Sequence, residues 1–248
     1  EPLLNEDVWQ MVSLARDKGI ASKVDTNGML IGRYKDEIFK SGLEILNIAF
    51  EGLSEKSTTR FRAGYDYRLV VNNIKMLCDQ KRKLGVRNPS IALNFLVRKD
   101  NEDEIRRAIE LMREWKVDVV TLKSINISPS AWLTDERIQY LGNEFLPVKN
   151  TRFSRYARKG GKWVPKPYIS DFCRYLPNSV TITWDGKVLP CCFDYDSSMV
   201  AGNIHDRSLR TIWRSGEFKD IRRKVYKGSP PLCKNCTSVS LQKKITLG

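Results

Sequence analysis

Four cysteines near the C-terminus have the residue type and spacing of a metal centre. Cys233 and Cys236 form a C-x-x-C pair, and Cys173 and Cys191 precede them. A C-x-x-C loop can direct two thiolates at one metal centre, and the earlier cysteines can supply the remaining ligands when the segment folds back. Four thiolates complete the coordination of one zinc ion or one [4Fe-4S] cluster.

Two other kinds of cysteine site compete with an iron-sulfur cluster. A redox-active C-x-x-C pair usually lies at the junction of a strand and a helix in a thioredoxin-like unit. In this chain, the pair instead follows Ser229-Pro230-Pro231. A zinc ribbon usually takes its ligands as two close pairs, and Cys173 and Cys191 are far apart in sequence. We therefore favour an iron-sulfur cluster as the group bound by these cysteines. Cys192 could replace its neighbour Cys191 as a ligand, but we expect a buried thiol that supports the site without binding the metal. Cys78 is expected to be a core residue on an apolar helix face.

Composition limits the class of protein. The 248 residues carry a formal net charge of +14 and can bury a real core. The chain contains neither an uninterrupted apolar run long enough to span a membrane nor a signal peptide at its start. Because it does not begin with Met, we expect a processed chain or a fragment. Six cysteines without an export signal favour the cytoplasm and metal ligation over disulfides.

The positive charge is concentrated between Lys149 and Lys166. This stretch holds seven Lys or Arg residues and no Asp or Glu, interleaved with aromatic residues. Basic residues among aromatics can bind single-stranded nucleic acid through phosphate neutralisation and base stacking. A solvated connecting loop, or an electropositive rim that attracts an anionic substrate, fits the same composition. The sequence leaves these three alternatives open.

The first two thirds of the chain alternates helix and strand patterns. Apolar residues at helical spacing alternate with short apolar runs, which predicts an α/β fold with a parallel sheet, either open or closed into a barrel. Asn101, with Glu104 three residues later, is predicted to cap one helix. The predicted helices are Val8 to Lys18, Tyr34 to Lys40, Tyr67 to Lys83, Glu102 to Trp115 and Asp135 to Leu146, and the predicted strands are Ile20 to Asp25, Ile45 to Phe50, Ser90 to Val97 and Val117 to Ile127.

Ligands bind at the carboxyl ends of the strands in both architectures. The predicted strands end in polar or turn-forming residues that are candidate binders, although each could equally serve only as a turn former. These ends are Thr26-Asn27-Gly28, Glu51-Gly52, Val97-Arg98 and Leu122-Lys123.

The motifs together resemble those of radical S-adenosylmethionine enzymes with a C-terminal SPASM or Twitch auxiliary-cluster domain. The cysteine module carries the most specific resemblance, with Asp185-Gly186 leading to Pro190-Cys191-Cys192 and then Gly202-Asn203-Ile204. Four weaker motifs stand in the family's order: Glu1-Pro2 as the end of a Gly-Gly-Glu-Pro motif, Thr26-Asn27-Gly28, Ile48 to Gly52, and Arg62 to Tyr67.

This resemblance implies a fold and two kinds of cofactor site. We expect a partial (β/α)6 TIM-like barrel lacking its first strand (1–147), a basic linker (148–167) and a small cysteine-rich domain (168–248). Cys173, Cys191, Cys233 and Cys236 would bind an auxiliary [4Fe-4S] cluster, with His205 only at the surface. The residues implied for S-adenosylmethionine binding are Glu1, Pro2, Thr26, Asn27, Glu51, Arg62, Val97 and Leu122.

The sequence departs from the family at two places. No three cysteines form the C-x-x-x-C-x-x-C loop that binds the catalytic [4Fe-4S] cluster, so we expect truncation before Glu1 and no activity of this chain alone. Ala49 stands where relatives often carry a serine that touches the cofactor.

The resemblance also implies an activity. In the intact protein, a 5′-deoxyadenosyl radical would abstract hydrogen from a neutral or anionic sugar or cyclitol, and the auxiliary cluster would transfer an electron. Flavodoxin or ferredoxin would be the electron donor, with no membrane partner and nucleic acid disfavoured. The alternatives are a peptide- or protein-modifying maturase and, from another class, a zinc-stabilised nucleic-acid-binding protein.

Overall fold

The computed structural model describes residues 1–127, 134–166, 173, 176–227, 230–234, 236 and 243–247. These residues divide into two compact units. The first unit comprises 1–125, 145–154 and the C-terminal strand, and the second lies within 126–144 and 155–240. The two units are described separately below.

A five-stranded sheet forms the centre of the first unit. Four parallel strands lie side by side in chain order, and the C-terminal strand Lys243–Thr246 pairs antiparallel with the last of them. The predicted parallel sheet is therefore confirmed, whereas the antiparallel strand was not predicted. The parallel strands are β1 (Lys23–Thr26), β2 (Ile45–Phe50), β3 (Ser90–Val97) and β4 (Val119–Ser124).

Helices connect the parallel strands and bury their apolar faces on the sheet. In α4, Asp66 accepts a hydrogen bond from the Leu69 amide at the N-terminus, and Gly85 ends the helix with φ of +64°. Its face formed by Val70, Ile74, Leu77 and Cys78 is buried, which confirms Cys78 as a core residue. The helices of this unit are α1 (Val8–Asp17), α2 (Lys35–Lys40), α3 (Glu55–Phe61), α4 (Tyr67–Leu84) and α5 (Ile105–Glu114).

The predicted start of α5 is wrong. The helix begins at Ile105 and not near Glu102, and Asn101 does not cap it. Instead, the Asn101 amide Nδ2 donates to the carbonyls of Glu51 and Leu96, and its Oδ1 accepts from the Arg98 amide. The Asn101 side chain thus bonds the backbone of Leu96 and of the distant Glu51, and it is not available to cap the helix.

Glu102 holds a loop of the first unit. Its carboxylate is buried and accepts hydrogen bonds from the amides of Val148, Lys149 and Asn150 at 3.1, 2.9 and 2.7 Å. We expect Glu102→Ala to lower the free energy of unfolding by about 1–3 kcal/mol because it leaves these amides without their acceptor. Urea unfolding measures the change. The control is Glu110→Ala, whose exposed ion pair should contribute less than about 1 kcal/mol; equal losses for both variants would contradict the prediction.

The second unit contains two small antiparallel sheets and four helices among its described residues. Its core consists of Val188, Ala201, Ile212 and Phe218. The strands are β5 (Tyr156–Lys159) and β6 (Lys162–Pro165) in one sheet and β7 (Thr181–Ile182), β8 (Lys187–Leu189) and β9 (Gly202–Asn203) in the other. The helices are α6 (Asp135–Phe145), α7 (Leu209–Arg214), α8 (Gly216–Tyr226) and α9 (Pro231–Lys234).

Much of the basic stretch is ordered as the hairpin of β5 and β6. Trp163 is buried, and its indole donates to Asn143 at 2.9 Å, whereas Lys159 and Lys162 are exposed and lie opposite each other. The aromatic residues of the hairpin thus anchor it and do not form an open stacking surface. His205 is exposed, as predicted. None of the helices within the described ranges has the length and apolar character needed to cross a membrane.

Candidate functional site

Glu1 meets the end of β1. Its carboxylate accepts from the Thr26 hydroxyl at 2.7 Å and from the Asn27 amide at 2.6 Å, and the Leu3 amide donates to it at 3.1 Å. The structure thus brings together three of the residues that the sequence assigned to S-adenosylmethionine. Pro2 is the neighbouring residue and opens a short 3-10 helix.

The turn after β1 needs a glycine. Gly28 has φ of +87°, and a Cβ atom there would lie 2.9 Å from Ile48 and 3.0 Å from Val70, both in the core. From α4, the buried Asn73 side chain donates to the Gly28 carbonyl at 2.9 Å. These contacts fix Asn27 at the carboxyl edge of the sheet.

The end of β2 carries an ion pair between a buried carboxylate and a partly exposed guanidinium. Arg62 donates to the Glu51 carboxylate at 2.6 Å, and the Glu51 side chain is only 6% exposed, against 40% for Arg62. Burial by itself lowers the pKa of Arg62, but the hydrogen bond and charge of Glu51 raise it above its ordinary value, with a smaller contribution from Glu1. Burial, together with the charge of Glu51, raises the pKa of Tyr65. Arg62 is thus a permanent cation held against the Glu51 carboxylate.

One oxygen of Glu51 has no hydrogen-bond partner among the residues that the structure describes. Oε2 is buried and accepts no hydrogen bond from any of them, while Oε1 accepts from Arg62. A buried carboxylate oxygen without a donor is costly, so its environment fits a ligand that brings a hydroxyl or ammonium group. The side chains at the carboxyl edge of the sheet therefore fit a polar ligand such as S-adenosylmethionine, which carries both hydroxyl and ammonium groups.

The other two predicted cofactor residues are apolar and enclosed. The side chains of Val97 and Leu122 are 0% and 2% exposed and belong to the core of the first unit. Two buried polar residues, Asn73 and Arg98, support the edge. The sequence did not indicate Asn73, and it indicated Arg98 only as a candidate binder at a strand end, outside the residues implied for S-adenosylmethionine. The sequence feature that indicates Arg98 is its position directly after the apolar run of β3.

The cysteines of the second unit influence one another. Burial, then the thiols of Cys236 and Cys173, raises the pKa of Cys233 to about 11. The hydrogen bond to Cys192, then burial, raises the pKa of Cys191, with a further contribution from Cys236. Thiols that interact in this way lie within electrostatic range of one another. The four predicted ligands are therefore connected by electrostatic interactions, with Cys236 acting on both Cys191 and Cys233 and Cys173 acting on Cys233.

The donor atoms offered by these four residues are thiols. Within the described part of the chain, no three His, Cys, Asp or Glu side chains are grouped to hold one metal ion. A [4Fe-4S] cluster takes one thiolate at each of its four irons. The charge of Asp194 also raises the pKa of Cys233, but the Asp194 carboxylate already accepts hydrogen bonds from Ser198 and Met199. The available donors are thiols, which fits an iron-sulfur cluster.

Comparison with known proteins identifies the class. The sequence profile of the SPASM iron-sulfur cluster-binding domain matches residues 173–237. The fold is shared with SuiB of Streptococcus suis, solved with S-adenosylmethionine and with its precursor peptide SuiA, at TM-scores of 0.61 and 0.62 and identities of 17% and 16%. Residues 173–237 thus form a SPASM iron-sulfur domain, and the chain as a whole is similar to radical S-adenosylmethionine enzymes, as its sequence motifs predicted.

Two curated relatives show the range of the similarity. The tungsten-containing aldehyde ferredoxin oxidoreductase cofactor-modifying protein of Pyrococcus furiosus is 23% identical over 96% of this chain and 71% of its own length. The S-adenosyl-L-methionine-dependent 2-deoxy-scyllo-inosamine dehydrogenase of Niallia circulans is 37% identical over 43% of this chain and 42% of its own. The chain covers 58% of SuiB.

Proposed function

We propose that this chain is the cofactor-binding part of a radical oxidoreductase that acts on a sugar or cyclitol. The observation that carries the proposal is the buried Oε2 of Glu51, which lies beside the Arg62 cation and has no hydrogen-bond donor within the described ranges of the chain. S-adenosylmethionine, when bound beside a reduced catalytic cluster, supplies a 5′-deoxyadenosyl radical that abstracts hydrogen. The Glu1 carboxylate would accept from its ammonium group, Glu51 from a hydroxyl, and Arg62 would balance the two carboxylates.

The cysteines supply the second part of the proposal. Cys173, Cys191, Cys233 and Cys236 would ligate an auxiliary [4Fe-4S] cluster. With all four irons held by protein thiolates, the cluster has no open position for substrate, so its role would be to accept an electron from the substrate radical. This role suits a net two-electron oxidation, with flavodoxin or ferredoxin as the external donor.

The sugar or cyclitol class is supported by the similarity to the inosamine dehydrogenase. The inosamine dehydrogenase shares 37% of its residues over the aligned segment. The second candidate is a peptide-modifying enzyme, because SuiB, which shares the fold over 96% of this chain, was solved with a precursor peptide. Testing an aminocyclitol and a short peptide for hydrogen transfer in the intact enzyme would separate the two.

Metal analysis tests the class of the cysteine site. We expect about four irons and four sulfides per chain after anaerobic reconstitution, with broad absorbance near ~400 nm. One zinc and no iron would contradict the cluster and favour the zinc-stabilised nucleic-acid-binding alternative.

Binding of S-adenosylmethionine tests the carboxyl edge directly. We expect Glu51→Gln to weaken binding, measured by calorimetry, about tenfold or more, because a buried charged acceptor is replaced by a neutral amide. The control is Glu55→Gln, an exposed carboxylate at the start of α3, which should bind as the unmodified chain does. Unchanged affinity for Glu51→Gln would overturn the role of Glu51.

A further inference from the structure

Arg98 is a fully buried charge just beyond the end of β3. Its side chain is 0% exposed, and Nε donates to the Asp100 carboxylate at 2.8 Å. Burying a guanidinium is unfavourable unless its donors are satisfied by well-placed acceptors. The identity of those acceptors indicates what Arg98 does.

The other contacts of Arg98 converge on one segment, residues 51–62. Nη1 donates to the Glu51 carbonyl at 2.5 Å, and Nη2 donates to the Ser57 carbonyl at 2.7 Å. The guanidinium also lies 4.9 Å from the ring centroid of Phe61. Arg98 therefore contacts the start, the middle and the end of this segment.

Residues 51–62 carry both members of the ion pair between the buried Glu51 and the partly exposed Arg62. Glu51 opens the segment and Arg62 closes it, and the carboxylate and guanidinium meet at 2.6 Å. Hydrogen bonds of the strand ladder extend only to Phe50, paired with Phe95, so beyond that point the ladder does not fix the segment. The planar fork of an arginine can bind two carbonyls and stack on a ring at once, which a lysine cannot do.

We propose that Arg98 is a positioning residue that holds residues 51–62 so that Glu51 and Arg62 face the ligand. This inference rests on the proposed S-adenosylmethionine site. Arg98 acts through the backbone of Glu51 and Ser57 and does not itself reach the ligand. Its loss would let the segment sample other conformations, and binding would then require the segment to be ordered again.

Hydrogen–deuterium exchange tests the positioning role independently of activity. We expect Arg98→Lys to speed amide exchange in residues 51–62 about tenfold or more, with exchange in β2 and α4 unchanged. Arg98→Met should do the same more strongly. The control is Arg82→Lys, which makes the same chemical change at a side chain that is 61% exposed. Unchanged exchange in 51–62, or an equal increase throughout the chain, would overturn the proposal.

Calorimetry with S-adenosylmethionine links the positioning to the ligand. We expect Arg98→Lys to weaken binding about tenfold, and Arg98→Lys combined with Arg62→Met to weaken it by less than the product of the single effects, because both act on one segment. Multiplicative effects, or full affinity despite faster exchange, would overturn the link between Arg98 and the ligand. An unmodified chain that binds no S-adenosylmethionine would instead contradict the proposed function, while the exchange data would still report on Arg98.

Discussion

Replacing both Cys233 and Cys236 with alanine is expected to abolish iron binding by residues 173–237. The two thiols supply half of the proposed ligands, and Cys236 is the thiol that interacts with both Cys191 and Cys233. A cluster that loses two thiolates has two irons without a protein ligand, so iron and sulfide content should fall to background. The measurement is iron per chain together with the loss of broad absorbance near ~400 nm.

Cys78 provides the matched control for this loss. Its thiol is 1% exposed within the core of the first unit, where burial raises its pKa to about 12. Cys78→Ala should therefore retain all the iron. Iron retained by the Cys233→Ala, Cys236→Ala variant would contradict the assignment of these ligands.

The same measurement distinguishes Cys191 from Cys192. Cys191 is partly buried and interacts with Cys236, whereas Cys192 is exposed, so the prediction of a buried thiol there was wrong. Cys191→Ala should lose iron, and Cys192→Ala should keep it. The opposite pattern would make Cys192 the ligand.

Gly28→Ala is expected to lower the free energy of unfolding by about 2–5 kcal/mol. A left-handed conformation costs an alanine about 1–2 kcal/mol, and the new methyl group would overlap Ile48 and Val70, which adds about 1–3 kcal/mol. Both neighbours are β-branched and fully buried, so neither can move aside cheaply. Urea unfolding of the two chains measures the difference.

Gly85→Ala separates the two contributions. Gly85 has a similar φ of +64°, but a Cβ atom there would meet nothing within 4 Å. This control should therefore lose only the conformational part, about 1–2 kcal/mol. Equal losses at both positions would show that crowding around Gly28 is unimportant.

The sequence predicted the parts of the fold that have strong local patterns. The bounds of β2 and β3 agree with the structure to the residue, because continuous apolar runs end at turn-forming residues. Helix α3 was missed, since its polar sequence from Glu55 to Arg60 has no apolar face. The C-terminal strand was missed for a different reason: it pairs with a strand more than a hundred residues earlier, which local pattern cannot show.

The sequence also predicted only part of the candidate site. Glu1, Thr26 and Asn27 were grouped through the family motifs, and the structure brings them within hydrogen-bonding distance. The orphan oxygen of Glu51 and the three-point contact of Arg98 depend on side chains that converge from distant strands. Hydrophobic periodicity along the sequence cannot predict these contacts, because the residues involved are distant in sequence and meet only when the sheet has packed.

The antiparallel pairing of Lys243–Thr246 with β4 changes what kind of domain the cysteine unit is. Topologically, it is an insertion whose two ends both return to one sheet, and not a tail attached at a single point. Pairing the C-terminal strand closes a long loop, and a cluster ligated by both Cys173 and Cys236, as proposed above, would shorten that loop and lower its entropic cost. Assembly of such a cluster and completion of the sheet edge would then be thermodynamically linked, so iron starvation would weaken a strand that contains none of the cysteines.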